Sequence, residues 1–203
     1  MEQRRFTSTN SPASDVPPQV SFRLLGHRRL ATGVFLHLDR RYLLDPSGRA
    51  VARDVVRHPG GVAVLPIDGD RVWLISQWRT AVDEQVLEVP AGKLDPDDRH
   101  LPTAAARELA EEVGATAGEI IFLTSMFPSP GYTDEVIHIY AATGLSFSDR
   151  APDGAEEHEA EVVSLPFSEA LRSIETGEIR DSKTQIALLM WAVRGSEQKG
   201  REA

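Results

Sequence analysis

The chain has no cysteine among its 203 residues. Disulfides and thiolate metal sites are therefore excluded, and any bound metal must be held by oxygen or imidazole ligands. Oxygen donors favour Mg²⁺ or Mn²⁺. Long apolar runs are missing too, since nothing approaches the roughly 18 residues that a membrane span needs. Residues 1–18 carry a charged start without the apolar stretch of a signal peptide. The expectation is a cytoplasmic protein with a disordered tail over residues 1–18. Positive charge is scarce: 22 Lys and Arg against 31 Asp and Glu leave a net charge of −9. That balance opposes general attraction to nucleic acid or to anionic membranes, so neither is expected as a partner. A small anionic substrate would need a bound cation and a few placed arginines.

What is present is ordinary for a globular chain, with 41% hydrophobic and 26% charged residues. The length suits one domain, or one domain with a small appended region. Residues 20–44 alternate apolar and polar positions irregularly, punctuated by Gly26, Gly33 and a turn at 45–48. They predict a strand pair or meander within an N-terminal β region spanning 19–60. Apolar runs at 62–67 and 71–78 flank Asp68-Gly69-Asp70, the pattern of a hairpin. A short strand at 86–89 and a polar loop through Pro102 follow. Thr103 is the expected N-cap of a helix over 104–113, with Gly114 ending it. Strands are expected at 120–123, 135–141 and 161–165. Two capped helices follow, 168–176 closed by Gly177 and 182–194 closed by Gly195, with a tail at 196–203. This order predicts an α/β (α+β) architecture, a mixed sheet sandwiched between helices with an antiparallel β subdomain before it.

The chemistry concentrates in Arg107-Glu108-Leu109-Ala110-Glu111-Glu112-Val113-Gly114. Residues three and four apart share a helix face, so Glu108, Glu111 and Glu112 converge, while Leu109 and Val113 form an apolar pair suited to a core. Like charges so spaced repel by about 0.2–0.5 kcal/mol per pair, a repulsion that a divalent cation reverses. Arg107, four before Glu111, is placed to hold that carboxylate by an ion pair. Taken alone, such a helix is in most proteins a solvated charged face. Its setting after Glu88-Val-Pro-Ala-Gly92 and a turn-rich loop, which can bring backbone carbonyls to the same metal, is what distinguishes it.

These residues resemble the box of the Nudix hydrolase family, G-x5-E-x7-R-E-U-x-E-E-x-G-U with U aliphatic. Gly92 matches the first glycine, and Arg107, Glu108, Leu109, Glu111, Glu112 and Gly114 match the second half. The interval from Gly92 to Arg107 is one residue longer than the pattern, Arg99 stands at the position of the first glutamate counted back from Arg107, and the last aliphatic position is Ala115. In the family that first glutamate mainly supports the loop, a role that Asp97 or Asp98 could take over. The resemblance implies a metal, Mg²⁺ or Mn²⁺, held by Glu108, Glu111, Glu112 and the Ala91 carbonyl. Arg107 and Glu111 then belong to the catalytic set.

The flanks resemble the ADP-ribose pyrophosphatase subgroup of the family, over about residues 53–193. Gln77-Trp78-Arg79 and the segment from Glu84 to Gly92 are similar to the lead-in to its box, which makes Arg79 the arginine at the substrate's diphosphate end and Glu88 part of the same substrate set. A planar guanidinium suits phosphate oxygens by paired hydrogen bonds. Pro130 lies about sixteen residues past the box, where the subgroup has a proline-containing segment. Residues 177–188 resemble its closing helix. The acidic stretch 153–161 corresponds to a loop that carries a general base in the subgroup: Glu157 is the choice, with Glu156 and Glu159 as alternatives. The implied reaction is hydrolysis of ADP-ribose to AMP and ribose 5-phosphate. GDP-mannose or a similar nucleoside diphosphate sugar is the alternative substrate, and a non-catalytic nucleotide sensor, suggested by Arg99, is the alternative class. The resemblance also implies a homodimer, with N-terminal strands packing across subunits.

Overall fold

The computed structural model describes residues 21–151 and 158–202. The tail expected at 1–18 and Glu157 lie outside the described residues. Strands β1 (Arg23–Thr32), β2 (His37–Leu44) and β3 (Ala50–Arg57) form an antiparallel three-stranded sheet, the expected meander. β4 (Gly61–Asp68) and β5 (Arg71–Arg79) then pair antiparallel around Gly69 and Asp70, with Ile67 opposite Val72. The hairpin is where the Asp-Gly turn placed it.

β4 and β5 lie inside a mixed seven-stranded sheet. Its path runs β10 (Glu161–Pro166), β5, β4, β9 (Ile137–Phe147), β8 (Ala115–Met126), with β6 (Glu84–Glu88) beside β5 and β7 (Ala91–Lys93) beside β4. β4 and β9 run parallel and the other pairs antiparallel. Alternation along β4 sends its residues to two cores, as the period of a strand requires. Ala63, Leu65 and Ile67 join Val72, Leu74, Ile139, Ile179 and Leu188, whereas Val62 and Val64 join Ile75, Ala105, Leu109, Val113 and Tyr140. Helix α1 (Leu101–Glu108) therefore covers one face of the sheet, and α2 (Phe167–Thr176) with α3 (Ser182–Glu202) covers the other. This is the predicted sandwich.

The strands expected at 120–123 and 135–141 run longer, as β8 and β9, and three helical features also differ from the sequence expectations. α1 begins at Leu101, with His100 rather than Thr103 at the N-cap and Pro102 in the first turn. A proline fits there because the first amides of a helix have no intrahelical acceptor to lose. Thr103 instead pairs its hydroxyl with His100 Nδ1 at 2.8 Å. After Glu108 the helix widens into a π-helical turn, Leu109–Val113, before Gly114 closes it at φ 71°. A side chain at 114 would meet the Ser148 carbonyl, so the reversal into β8 requires glycine. α3 does not stop at Gly195 but continues to Glu202, so helix replaces most of the expected tail at 196–203. A mid-helix glycine costs only about 1 kcal/mol and does not by itself end a helix.

The small sheet is tied to the large one through the loop after β8. The Val56 amide donates to the Tyr132 carbonyl at 2.7 Å, and Arg57 Nη1 donates to Asp134 Oδ2 at 2.6 Å. Arg57 also reaches buried Asp39, which Arg29 pairs from the other side. The Arg29 guanidinium, with Arg57 behind it, holds the Asp39 carboxyl below the usual carboxylate range against the effect of burial.

Candidate active site

The site is assembled where the end of β6, the strand β7 and the carboxylate helix meet. Leu109 and Val113 are buried in the core and fix the face the helix turns to the sheet. Glu108 and Glu112, each one residue before this pair and so on the flank of the same face, are carried toward β7 rather than into solvent, with 5% and 2% of their surface exposed. Glu112 Oε2 accepts the Ala91 amide at 2.8 Å. The Glu108 carboxylate lies where a side chain on Gly92 would be, so the glycine opening the box makes room for a glutamate of its second half.

Arg107 brackets these groups. Its Nη1 lies 2.9 Å from Glu108 Oε1 and 2.9 Å from Glu111 Oε2, and its Nη2 lies 3.3 Å from Asp98 Oδ2. Burial opposes its charge, but the neighbouring Glu108, Glu111 and Asp98 prevail and raise its pKa above the usual value. Asp98 also accepts the Asp95 amide at 2.8 Å, which closes the loop before α1. Asp98 is thus the acidic residue that supports the loop, whereas Arg99 and Asp97 are exposed.

Arg79 and Glu88 form the second cluster. Arg79 donates from Nε to Glu88 Oε1 at 2.6 Å and from Nη2 to Oε2 at 2.8 Å. Glu88 is 1% exposed and also pairs with Lys183. Burial again opposes the Arg79 charge, and hydrogen bonding to Glu88 with attraction to Glu112 and Asp181 outweighs it, raising the arginine's pKa. Arg79, Val82, Glu84, Glu88, Arg180 and Lys183 line a cleft of about 550 Å³. Glu88 is therefore held between cations at the cleft floor.

The remaining predicted positions are more dispersed. Pro130 is exposed on the loop that β3 holds, not on the carboxylate helix. Glu159, an alternative to Glu157, is exposed next to β10. Asp181, Lys183 and Thr184 carried no predicted role. The one local sign of them is Asp181 three residues before Thr184, the spacing of an N-cap, and its Oδ2 does accept the Thr184 amide at 2.9 Å.

The donors around β7 are oxygens, two of the carboxylates are buried, and a glycine leaves them space, which suits a hard divalent cation. Among the described residues no three His, Asp or Glu side chains stand together as a ready ligand set. Arg107 draws Glu108 and Glu111 to its own guanidinium.

Comparison with known proteins bears on the same region. A family model described as the NUDIX domain matches residues 57–186. The chain is 36% identical over 144 residues to the ADP-ribose pyrophosphatase of Bacillus subtilis (strain 168), covering 70% of this chain and 77% of that protein. It is 39% identical over 144 residues, with the same coverage, to the methanol dehydrogenase activator of Bacillus methanolicus. With the GDP-mannose pyrophosphatase of Escherichia coli O1:K1 / APEC it is 38% identical over 146 residues, covering 67% and 75%. A solved structure described as an ADP compounds hydrolase superposes with a TM-score of 0.76 at 21% identity, over 87% of this chain and 95% of that one, a likeness of fold.

Proposed function

This chain belongs to the NUDIX domain family, and on that premise we propose that it hydrolyses the diphosphate bond of ADP-ribose to AMP and ribose 5-phosphate with the help of Mg²⁺, or Mn²⁺. The observation that carries the reading is the joining of the two halves of the box: Glu112 on the Ala91 amide and Glu108 against Gly92. Glu108, Glu111, Glu112 and the Ala91 carbonyl would hold the ion. When bound, the ion polarises the diphosphate and lowers the pKa of a bound water.

The protein's own part is placement and charge, because phosphoryl transfer asks for little covalent chemistry. Arg107 keeps Glu108 and Glu111 aimed at the box loop. Arg79, gripped at two points by Glu88, presents a fixed guanidinium plane to phosphate oxygens. Glu88 acts on the substrate through Arg79. Glu157 takes the proton from the attacking water, with Glu156 and Glu159 as alternatives. Pro130 contributes to the substrate pocket from the loop held by β3. The N-terminal sheet exposes Leu24, Leu25 and Tyr42, which supports a homodimer. No helix among the described residues is long and apolar enough to cross a membrane, and the proposed place of action is the cytoplasm.

The test is kcat/KM over a panel of nucleoside diphosphate sugars with product analysis, on the wild type and on Glu112→Gln. ADP-ribose should lead the panel, and Glu112→Gln should lower kcat about 100-fold or more at saturating Mg²⁺. Unchanged turnover in the variant would discard the metal assignment. The GDP-mannose pyrophosphatase relatives support a second substrate, and a higher kcat/KM on GDP-mannose would replace ADP-ribose with it. The loop support that Arg99 does not give is present in Asp98, which favours catalysis over a sensor. Mg²⁺-independent binding without product would reverse that choice.

A further inference from the structure

The start of α3 holds residues for which neither the box nor its flanks provide a role. Lys183 and Thr184 meet Glu88 and Val89 at the end of β6 across 95 positions of sequence, and Asp181 holds both of them. Lys183 is 8% exposed, pairs with Glu88 Oε2, and lies 3.0 Å from Asp181 Oδ1. Arg79, Glu88, Lys183 and Asp181 thus form a chain of alternating charge. Glu88 is nearly inaccessible at its centre. The next residue of each segment adds a second contact: Thr184 Oγ1 accepts the Val89 amide at 2.8 Å and donates to Asp181 Oδ2 at 2.6 Å.

We propose that Lys183 and Thr184 are positioning residues for the reaction, Lys183 setting Arg79 through Glu88 and Thr184 setting the Ala91–Glu112 contact through Val89. The proposal rests on Arg79 facing the substrate's phosphates. A buried ion chain adds little stability over apolar packing of the same volume, so its value here lies in orientation. Glu88 accepts two hydrogen bonds from one guanidinium, and that grip fixes a plane only if the carboxylate itself cannot rotate. Lys183 on Oε2 removes that rotation. Without Lys183 the chain has two carboxylates and one guanidinium, and Glu88 follows Arg79 instead of holding it. Thr184 acts on the other half of the site. Only Pro90 separates its anchor at Val89 from Ala91, and the Pro90 carbonyl is held by the Val64 amide at 2.9 Å. A shift at Val89 therefore reaches the Ala91 amide on Glu112.

The two arms predict different kinetics. Lys183→Met should raise KM for the best substrate of the panel about tenfold with kcat within about threefold, and Lys183→Arg should restore KM. In an Arg79→Ala background the Lys183→Met change should move KM by less than about twofold, because its route to the substrate is gone. Thr184→Val should lower kcat about tenfold with little change in KM, and Thr184→Ser should restore it. Equal KM effects of Lys183→Met in both backgrounds would overturn the Lys183 role, and an unchanged kcat in Thr184→Val would overturn that of Thr184. If Lys183→Met does not fold, Lys183→Gln runs the same cycle. A wild type inactive on every nucleoside diphosphate sugar rejects the functional reading itself, whereas an active wild type with an additive cycle rejects only the positioning role.

Discussion

Gly92 and Glu108 occupy one space between them. The group that a side chain at 92 would strike is the far end of a glutamate, not backbone, so the fold can yield while the carboxylate cannot stay. Gly92→Ala should therefore leave the melting temperature within a few degrees of wild type yet lower kcat about 10–100-fold, the cost of a displaced ligand or its support. Thermal melting beside turnover checks it, and equal loss in both would make Gly92 a packing residue. Arg107 shows the same economy of contacts. One guanidinium gathers Glu108, Glu111 and Asp98 from three positions along the chain. The i,i+4 pair with Glu111 was readable from spacing. The contact with Asp98 was not, because it depends on how the loop at 95–100 closes, through Asp98 accepting the Asp95 amide.

At the scale of elements, the π-helical turn after α1 is the departure with most bearing on the site. Gly114 donates to both the Ala110 and Leu109 carbonyls, so the helix widens over the residues that carry Glu111 and Glu112. Such turns are rare and concentrate at functional sites, and composition gives no local sign of them. The junction between the small sheet and the 128–134 loop is a second element-scale feature. Burial tends to raise the Asp134 carboxyl, but the Arg57 guanidinium and the His58 amide outweigh it and bring it below the ordinary value. A depressed carboxyl contributes stability above its unfolded pKa of about 3.9, and that contribution is lost as pH falls through the lower folded value. Asp134→Asn should therefore be less stable than wild type at neutral pH, with the gap closing below about pH 4. Denaturant melts across pH 3–7 would measure the gap. A constant gap would assign Asp134 a packing role without charge.

For the molecule as a whole, the mixed sheet puts α1 on one face and α2 with α3 on the other, and the site lies where strand ends of the sheet meet α1 and α3. The three-stranded sheet stands beside this sandwich, bound mainly through β3 and the loop after β8. Leu24, Leu25 and Tyr42 on that sheet remain exposed. Sedimentation equilibrium should give the mass of two chains, and Leu24→Glu combined with Leu25→Glu should reduce it to one. A monomeric wild type would remove the dimer from the account.

The sequence by itself determined the features whose causes act over a few residues. Alternation and an Asp-Gly turn specify the β4–β5 hairpin. Helical spacing sets the Arg107–Glu111 pair, and the absence of cysteine limits any metal to oxygen or imidazole ligands, whereas the expected convergence of Glu108, Glu111 and Glu112 is replaced by Glu112 on the Ala91 amide and the other two on Arg107. Tertiary structure decided what depends on strand register and helix docking: that Glu88 is buried between Arg79 and Lys183, that Thr184 anchors Val89, and that Asp98 supports Arg107. Ion pairs between residues 95 apart leave no period or spacing in a sequence. They exist because β6 and α3 are brought together on one side of the sheet, and only the folded chain does that.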